Sequence, residues 1–115
     1  MYNIESLEDL DNFIINNNTG ILLIYFGAPW CGPCKLLKEK LENKETHNQM
    51  PNLKVCYINI DDCDELASLY KVKSLPTQIF VKLYDIKVKI FSRIEGYDYT
   101  KLLLEYNKYY ESEKN

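Results

Sequence analysis

Residues 21–34 read I-L-L-I-Y-F-G-A-P-W-C-G-P-C. The run opens with six consecutive apolar residues, 21–26. It is too short for a buried helix and rich in β-formers, so it predicts a strand buried on both faces. Gly27, Ala28 and Pro29 end it. Trp30 and Cys31-Gly32-Pro33-Cys34 follow, and residues 35–41, K-L-L-K-E-K-L, continue with helical spacing. The pattern is that of an α/β fold in which a central strand hands two cysteines to the first turn of a helix.

Residues three apart on a helix share a face, with Cβ atoms about 5–6 Å apart. A disulfide needs Cα atoms roughly 4.4–6.8 Å apart. Cys31 and Cys34 can therefore open and close a bond with little backbone movement. The helix start offers unpaired N–H groups and about half a positive charge. Cys31, at or just before the first turn, is expected to have its thiolate favoured and its pKa lowered. Pro33 fits there because its missing N–H would have had no partner anyway. Cys34 lies deeper and less exposed. The expected roles follow: Cys31 attacks a substrate disulfide, and Cys34 resolves the mixed disulfide.

W-C-G-P-C after a buried strand resembles the active site of the thioredoxin family. Residues 55–76, V-C-Y-I-N-I-D-D-C-D-E-L-A-S-L-Y-K-V-K-S-L-P, are similar to the family segment that runs from the next strand to a cis-proline. Gly96 is similar to the glycine before the last helix. The resemblance implies a thioredoxin fold over residues 1–115 as one domain, with a central mixed sheet of five (or four) strands flanked by about four helices. It implies a protein-disulfide reductase whose redox-active pair is Cys31 and Cys34, with Gly32 and Pro33 between them. Trp30, Leu75, Pro76 and Gly96 would form the substrate-binding rim. Pro76 would be cis, leaving Leu75 to offer main-chain hydrogen bonds to an extended substrate. Protein disulfides are the implied substrates, and a thioredoxin reductase or another thiol donor the implied electron source.

Composition is consistent with this reading. A length of 115 residues is that of one domain, and a 46% apolar fraction suffices for a core. A net charge of −3 without a basic cluster gives no electrostatic case for nucleic acid or an anionic membrane. The first residues show no basic stretch followed by an apolar one, and no apolar run approaches the roughly 20 residues of a membrane span. Four cysteines without a visible secretory signal point to a reducing compartment, the cytoplasm, and to functional thiols. A monomer is expected, without cofactor or metal; no nucleotide-binding motif is present.

Ser6 reads as an N-cap before a helix with Glu8 and Asp9 in its first turn and Leu7, Leu10 and Ile14 facing inward. Gly20 reads as the C-terminal cap. Residues 42–52 read as a polar stretch ending in a loop, where His47 is a solvated side chain. Residues 53–60 form the next strand, with Cys56 a small buried hydrophobe. Asp61 or Asp62 would cap a helix whose inner side is Leu66, Ala67, Leu69 and Tyr70. Cys63 stands at its first turn as a partly exposed thiol, inert or, in the minority reading, regulatory. Residues 78–83 and 87–94 read as two antiparallel strands. Their turn around Tyr84, Asp85 and Ile86 looks longer than the family's hairpin. The last helix starts near Asp98, with Tyr99, Leu102, Leu103, Tyr106 and Tyr110 at helical spacing, and residues 111–115 fray.

Some positions depart from the family pattern. Tyr25 stands where thioredoxins usually carry a buried Asp, Tyr57 where its Lys partner lies, and Glu39 where a kink proline lies. A phenol is a poor base at neutral pH, so Cys34 is expected to lose its proton more slowly. Two other function classes compete. One is a binding module of the same fold with little redox turnover. The other is a zinc site built from Cys31, Cys34, Cys56 and Cys63, whose second pair lacks ordinary zinc spacing.

Overall fold

The computed structural model describes residues 1–114. The described residues form ten elements: β1 (Tyr2–Ile4), α1 (Leu7–Asn16), β2 (Ile21–Gly27), α2 (Gly32–Glu42), α3 (Lys44–Gln49), β3 (Leu53–Asn59), α4 (Asp64–Leu69), β4 (Thr77–Tyr84), β5 (Lys87–Glu95) and α5 (Tyr99–Ser112). The sheet runs β1-β3-β2-β4-β5. β3 is parallel to both β1 and β2, whereas β4 is antiparallel to β2 and β5 to β4. This is the mixed five-stranded sheet expected, with five helices rather than about four.

The continuous apolar run of β2 is explained by its place. All seven of its residues are buried, because alternate side chains feed two separate cores. Ile21, Leu23 and Tyr25 pack with Leu37 and Leu41 of α2 and Leu102, Tyr106 and Tyr109 of α5. Leu22, Ile24 and Phe26 pack with Leu10, Phe13 and Ile14 of α1 and Leu66 of α4. A strand with helices on both faces has no polar side to show.

Several local expectations are corrected. Ser6 does cap α1, accepting from the Asp9 N–H at 3.1 Å. The inward face, however, is Leu10, Phe13 and Ile14, and Leu7 is exposed. Gly20 is not the cap; Asn17 is. A Cβ at Gly20 would lie 2.6 Å from Lys54 Cγ and 3.1 Å from the Asn52 carbonyl oxygen, so close chain approach requires the glycine. The polar stretch after α2 folds into α3, started by Asn43 accepting from the Glu45 N–H. The cap of α4 is Cys63, not Asp61 or Asp62, and Leu69 faces outward.

The hairpin between β4 and β5 is a tight two-residue turn. Asp85 takes the left-handed backbone conformation, φ 56°, that a glycine would otherwise supply. A bulge follows: Phe80 pairs with Ser92 and Val81 with Ile90, leaving Phe91 extra. That puts Phe91 and Ile94 in the same core although their spacing is odd. Asp98 caps α5, whose buried tyrosines are Tyr106 and Tyr109 rather than Tyr110. The helix runs through Ser112, so residues 111 and 112 of the expected frayed tail are helical; residues 113 and 114 form a turn, and residue 115 lies outside the described residues.

Candidate active site

β2 ends at Gly27, and the chain turns through Ala28, Pro29 and Trp30 into α2. Cys31 is the N-cap of that helix, with extended backbone, φ −88° and ψ 113°. Its sulfur accepts from the Cys34 N–H at 3.2 Å, one of the orphan donors of the first turn. Pro33 stands in that turn, where its lack of an N–H costs nothing. A Cβ at Gly32 would meet no atom within 4 Å, so space does not demand glycine there. Cys31 and Cys34 are joined as a disulfide with Cα atoms 5.2 Å apart. In this closed form Cys31 is 6% exposed and Cys34 2%. The order is the one expected, although Cys31 is less open than an accessible sulfur would be.

Cys31 lines a surface cleft of about 470 Å³ together with Trp30, Pro33, Ile60, Val72, Lys73 and Leu75. Trp30 projects into solvent and is tethered by its indole N–H, which donates to Asp61 Oδ2 at 2.9 Å. The Leu75–Pro76 bond is cis. The Gly96 N–H donates to the Pro76 carbonyl at 2.8 Å, and Gly96 holds a left-handed backbone, φ 85°, that suits glycine. The buried Gln78 amide donates to the Gly96 carbonyl at 3.1 Å, fixing that corner from below. Trp30 and Leu75 thus share the cleft with Cys31, whereas Pro76 follows Leu75 in the chain and Gly96 is hydrogen-bonded to Pro76 without lining that cleft. Sequence reasoning missed Ile60, Val72, Lys73 and the Asp61 tether. These residues come from the β3–α4 and α4–β4 connections, and no local pattern aims them at Cys31.

Arg93, the sole arginine, holds the last of those connections. Its guanidinium donates to the Tyr70 carbonyl at 2.6 Å and the Lys71 carbonyl at 2.8 Å. Lys71 has φ 54°, so the chain reverses there before reaching Val72 and Leu75.

On the inner side, Tyr25 donates its hydroxyl to the Cys34 carbonyl at 2.7 Å. Burial, and next the neighbouring Tyr57, push its phenol well above the ordinary range. The Tyr57 ring lies 5.0 Å away, and its phenol is likewise raised by burial and then by Asp61 and Asp62. Neither can serve as a base near neutrality.

The other thiols lie elsewhere. Cys56 and Cys63 belong to the core on the opposite face of the sheet from Cys31 and Cys34, so the four sulfurs of the zinc reading do not come together. Cys63 is buried, not partly exposed; its thiol donates to the Ile4 carbonyl at 3.4 Å. Burial, then Asp62, Glu5, Asp9 and Asp64, push its pKa up. The Cys56 thiol is raised by burial despite backbone hydrogen bonds. His47 lies in α3, its Nε2 2.9 Å from the Leu41 carbonyl oxygen at the end of α2.

The thioredoxin family model matches residues 4–103. The chain belongs to the thioredoxin family. The thioredoxin of Chlamydia pneumoniae is 40% identical over 82 residues, 71% of this chain and 76% of that protein. Thioredoxin-T of Drosophila melanogaster is 33% identical over 82 residues, 71% of this chain and 52% of that protein, so the chain spans about half of that relative. The solved structure of Trichomonas vaginalis thioredoxin matches with a TM-score of 0.83 and 25% identity, covering 95% of this chain and 96% of that one. Family, fold and the closed cysteine pair together make this a thiol–disulfide reductase. Among the described residues, no helix is long and apolar enough to cross a membrane.

Proposed function

We propose that Cys31 is the attacking thiol and Cys34 the resolving one. The observation that carries this reading is the hydrogen bond from the Cys34 N–H to the Cys31 sulfur at the start of α2. In the reduced protein, that donor and the helix end favour negative charge on Cys31. The Cys31 thiolate attacks one sulfur of a substrate disulfide and expels the other as a thiolate. Cys34 then attacks the Cys31 sulfur, closing the internal disulfide and releasing the second substrate thiol. Trp30, Leu75, Pro76 and Gly96 grip the substrate chain: the first two supply apolar surface, and the Leu75 backbone pairs with an extended peptide. The substrates are protein disulfides. A thioredoxin reductase or another thiol donor reopens the pair. The chain acts as a cytoplasmic monomer, without nucleic acid, cofactor or metal.

Trapping in a cell extract tests the assignment. Cys34→Ser should accumulate covalent partners that a reductant releases, and Cys31→Ser should not. Equal trapping by the two variants would overturn it.

A further inference from the structure

The helix that carries both sulfurs is tied to the central strand at the residue that bears the second one. Tyr25, 1% exposed, reaches from β2 to the Cys34 carbonyl. A helical carbonyl has two lone pairs, and the helix ladder uses one. The phenol is itself held in place. Tyr57 packs against its ring, and a Cβ at Gly27 would lie only 2.9 Å from Tyr25 Cε1 and 3.1 Å from Tyr57 Cε1. The bond ends on backbone, so it does not depend on whether the sulfurs are joined.

We propose that Tyr25 is a positioning residue for the resolving step. It holds Cys34 in reach of Cys31 while Cys31 is bonded to substrate, and the Cys34 proton passes to water rather than to an interior side chain. This rests on the reading of Cys31 as nucleophile. A second cleft, of about 280 Å³, reaches Cys34 and shares no lining residue with the cleft at Cys31; Tyr25, Pro29, Lys38, Tyr57 and Asn59 are among its walls. No carboxylate lines it, and its two phenols stay protonated because burial raises both. The step balances without another group. The Cys34 thiol gives its proton to water, and its thiolate bonds to the Cys31 sulfur. The bond from Cys31 to the substrate sulfur breaks, and that sulfur leaves with the electron pair and takes a proton from solvent.

Rapid mixing of the reduced protein with oxidised glutathione, quenched in acid and read by mass, separates formation of the mixed disulfide from its decay. Tyr25→Phe keeps the ring and loses the hydrogen bond. It should leave formation unchanged and slow decay by about fivefold, the worth of one ordinary hydrogen bond. The slowing should be equal at every pH across the thiol titration. Tyr109→Phe removes a comparable buried bond, to the Val81 carbonyl at 2.7 Å, and should change neither step. Unchanged decay in Tyr25→Phe would overturn the proposal, as would equal slowing of both steps or loss of a titration present in the parent. Cys34→Ser in the same experiment should stop with glutathione on Cys31. Glutathione found instead on Cys34 of the parent or of Cys31→Ser, at the parent's formation rate, would overturn the nucleophile assignment beneath it. A normal Cys34→Ser arrest with unaltered Tyr25→Phe would remove the tyrosine's role alone.

Discussion

Cys31 and Cys63 are each 6% exposed, and each is the N-cap of a helix. Their surroundings are opposite. The Cys31 sulfur accepts a hydrogen bond from the first turn of an 11-residue helix. The Cys63 thiol makes no such bond, donates to a carbonyl and has four carboxylates around it, beginning with Asp62. Exposure therefore does not distinguish the two thiols; under the proposed assignment, the hydrogen bond to Cys31 and the carboxylates around Cys63 do. Spacing makes the Cys31 half of this contrast legible in the sequence. The Cys63 half is legible only in part: Asp62 and Asp64 flank it, but Glu5, from the connection between β1 and α1, and Asp9 of α1 lie more than 50 residues away in the chain. Tyr25 is legible only as a departure from the family pattern, since its partner is a backbone oxygen reached across the core.

Among the elements, the connection from α4 to β4 depends on Arg93 as a two-pronged clamp. Arg93→Ala should leave the Tyr70 and Lys71 carbonyls without these donors and lower unfolding stability by about 2 kcal/mol, measured as a shift in the urea midpoint. Arg93→Lys should recover only part of that loss, because an ammonium lacks the planar fork. β2 was legible from its unbroken apolar run, α1, α2 and α5 from helical spacing, and Ser6 and Asp98 from their capping chemistry. What escaped was set by tertiary contact. α3 is six mostly polar residues whose buried side chain is Thr46. Gly20 answers to Lys54 and Asn52, and the parity of β5 changes at a bulge.

At the scale of the whole molecule, one strand divides two cores, and both cores bury protonated acids. Tyr25 and Tyr109 lie on one side, Cys56 and Cys63 on the other. The folded state holds these protons more tightly than the unfolded chain, where thiols titrate at about 8.5 and phenols near 10. Burial raises Tyr109 to about 12 and the others in the same direction. Above the unfolded values the unfolded chain binds fewer protons, so stability falls as pH rises. The oxidised protein should keep its full urea midpoint below about pH 8 and lose stability steadily from there towards pH 12. The reductase itself stands on one thiol of four being set apart. Timed alkylation of the reduced, folded protein at pH 7, with each cysteine followed by peptide mass, reads this directly. Cys31 should react at least about tenfold faster than Cys34, Cys56 or Cys63. Four comparable rates, or labelling led by Cys34 or Cys63, would contradict the account.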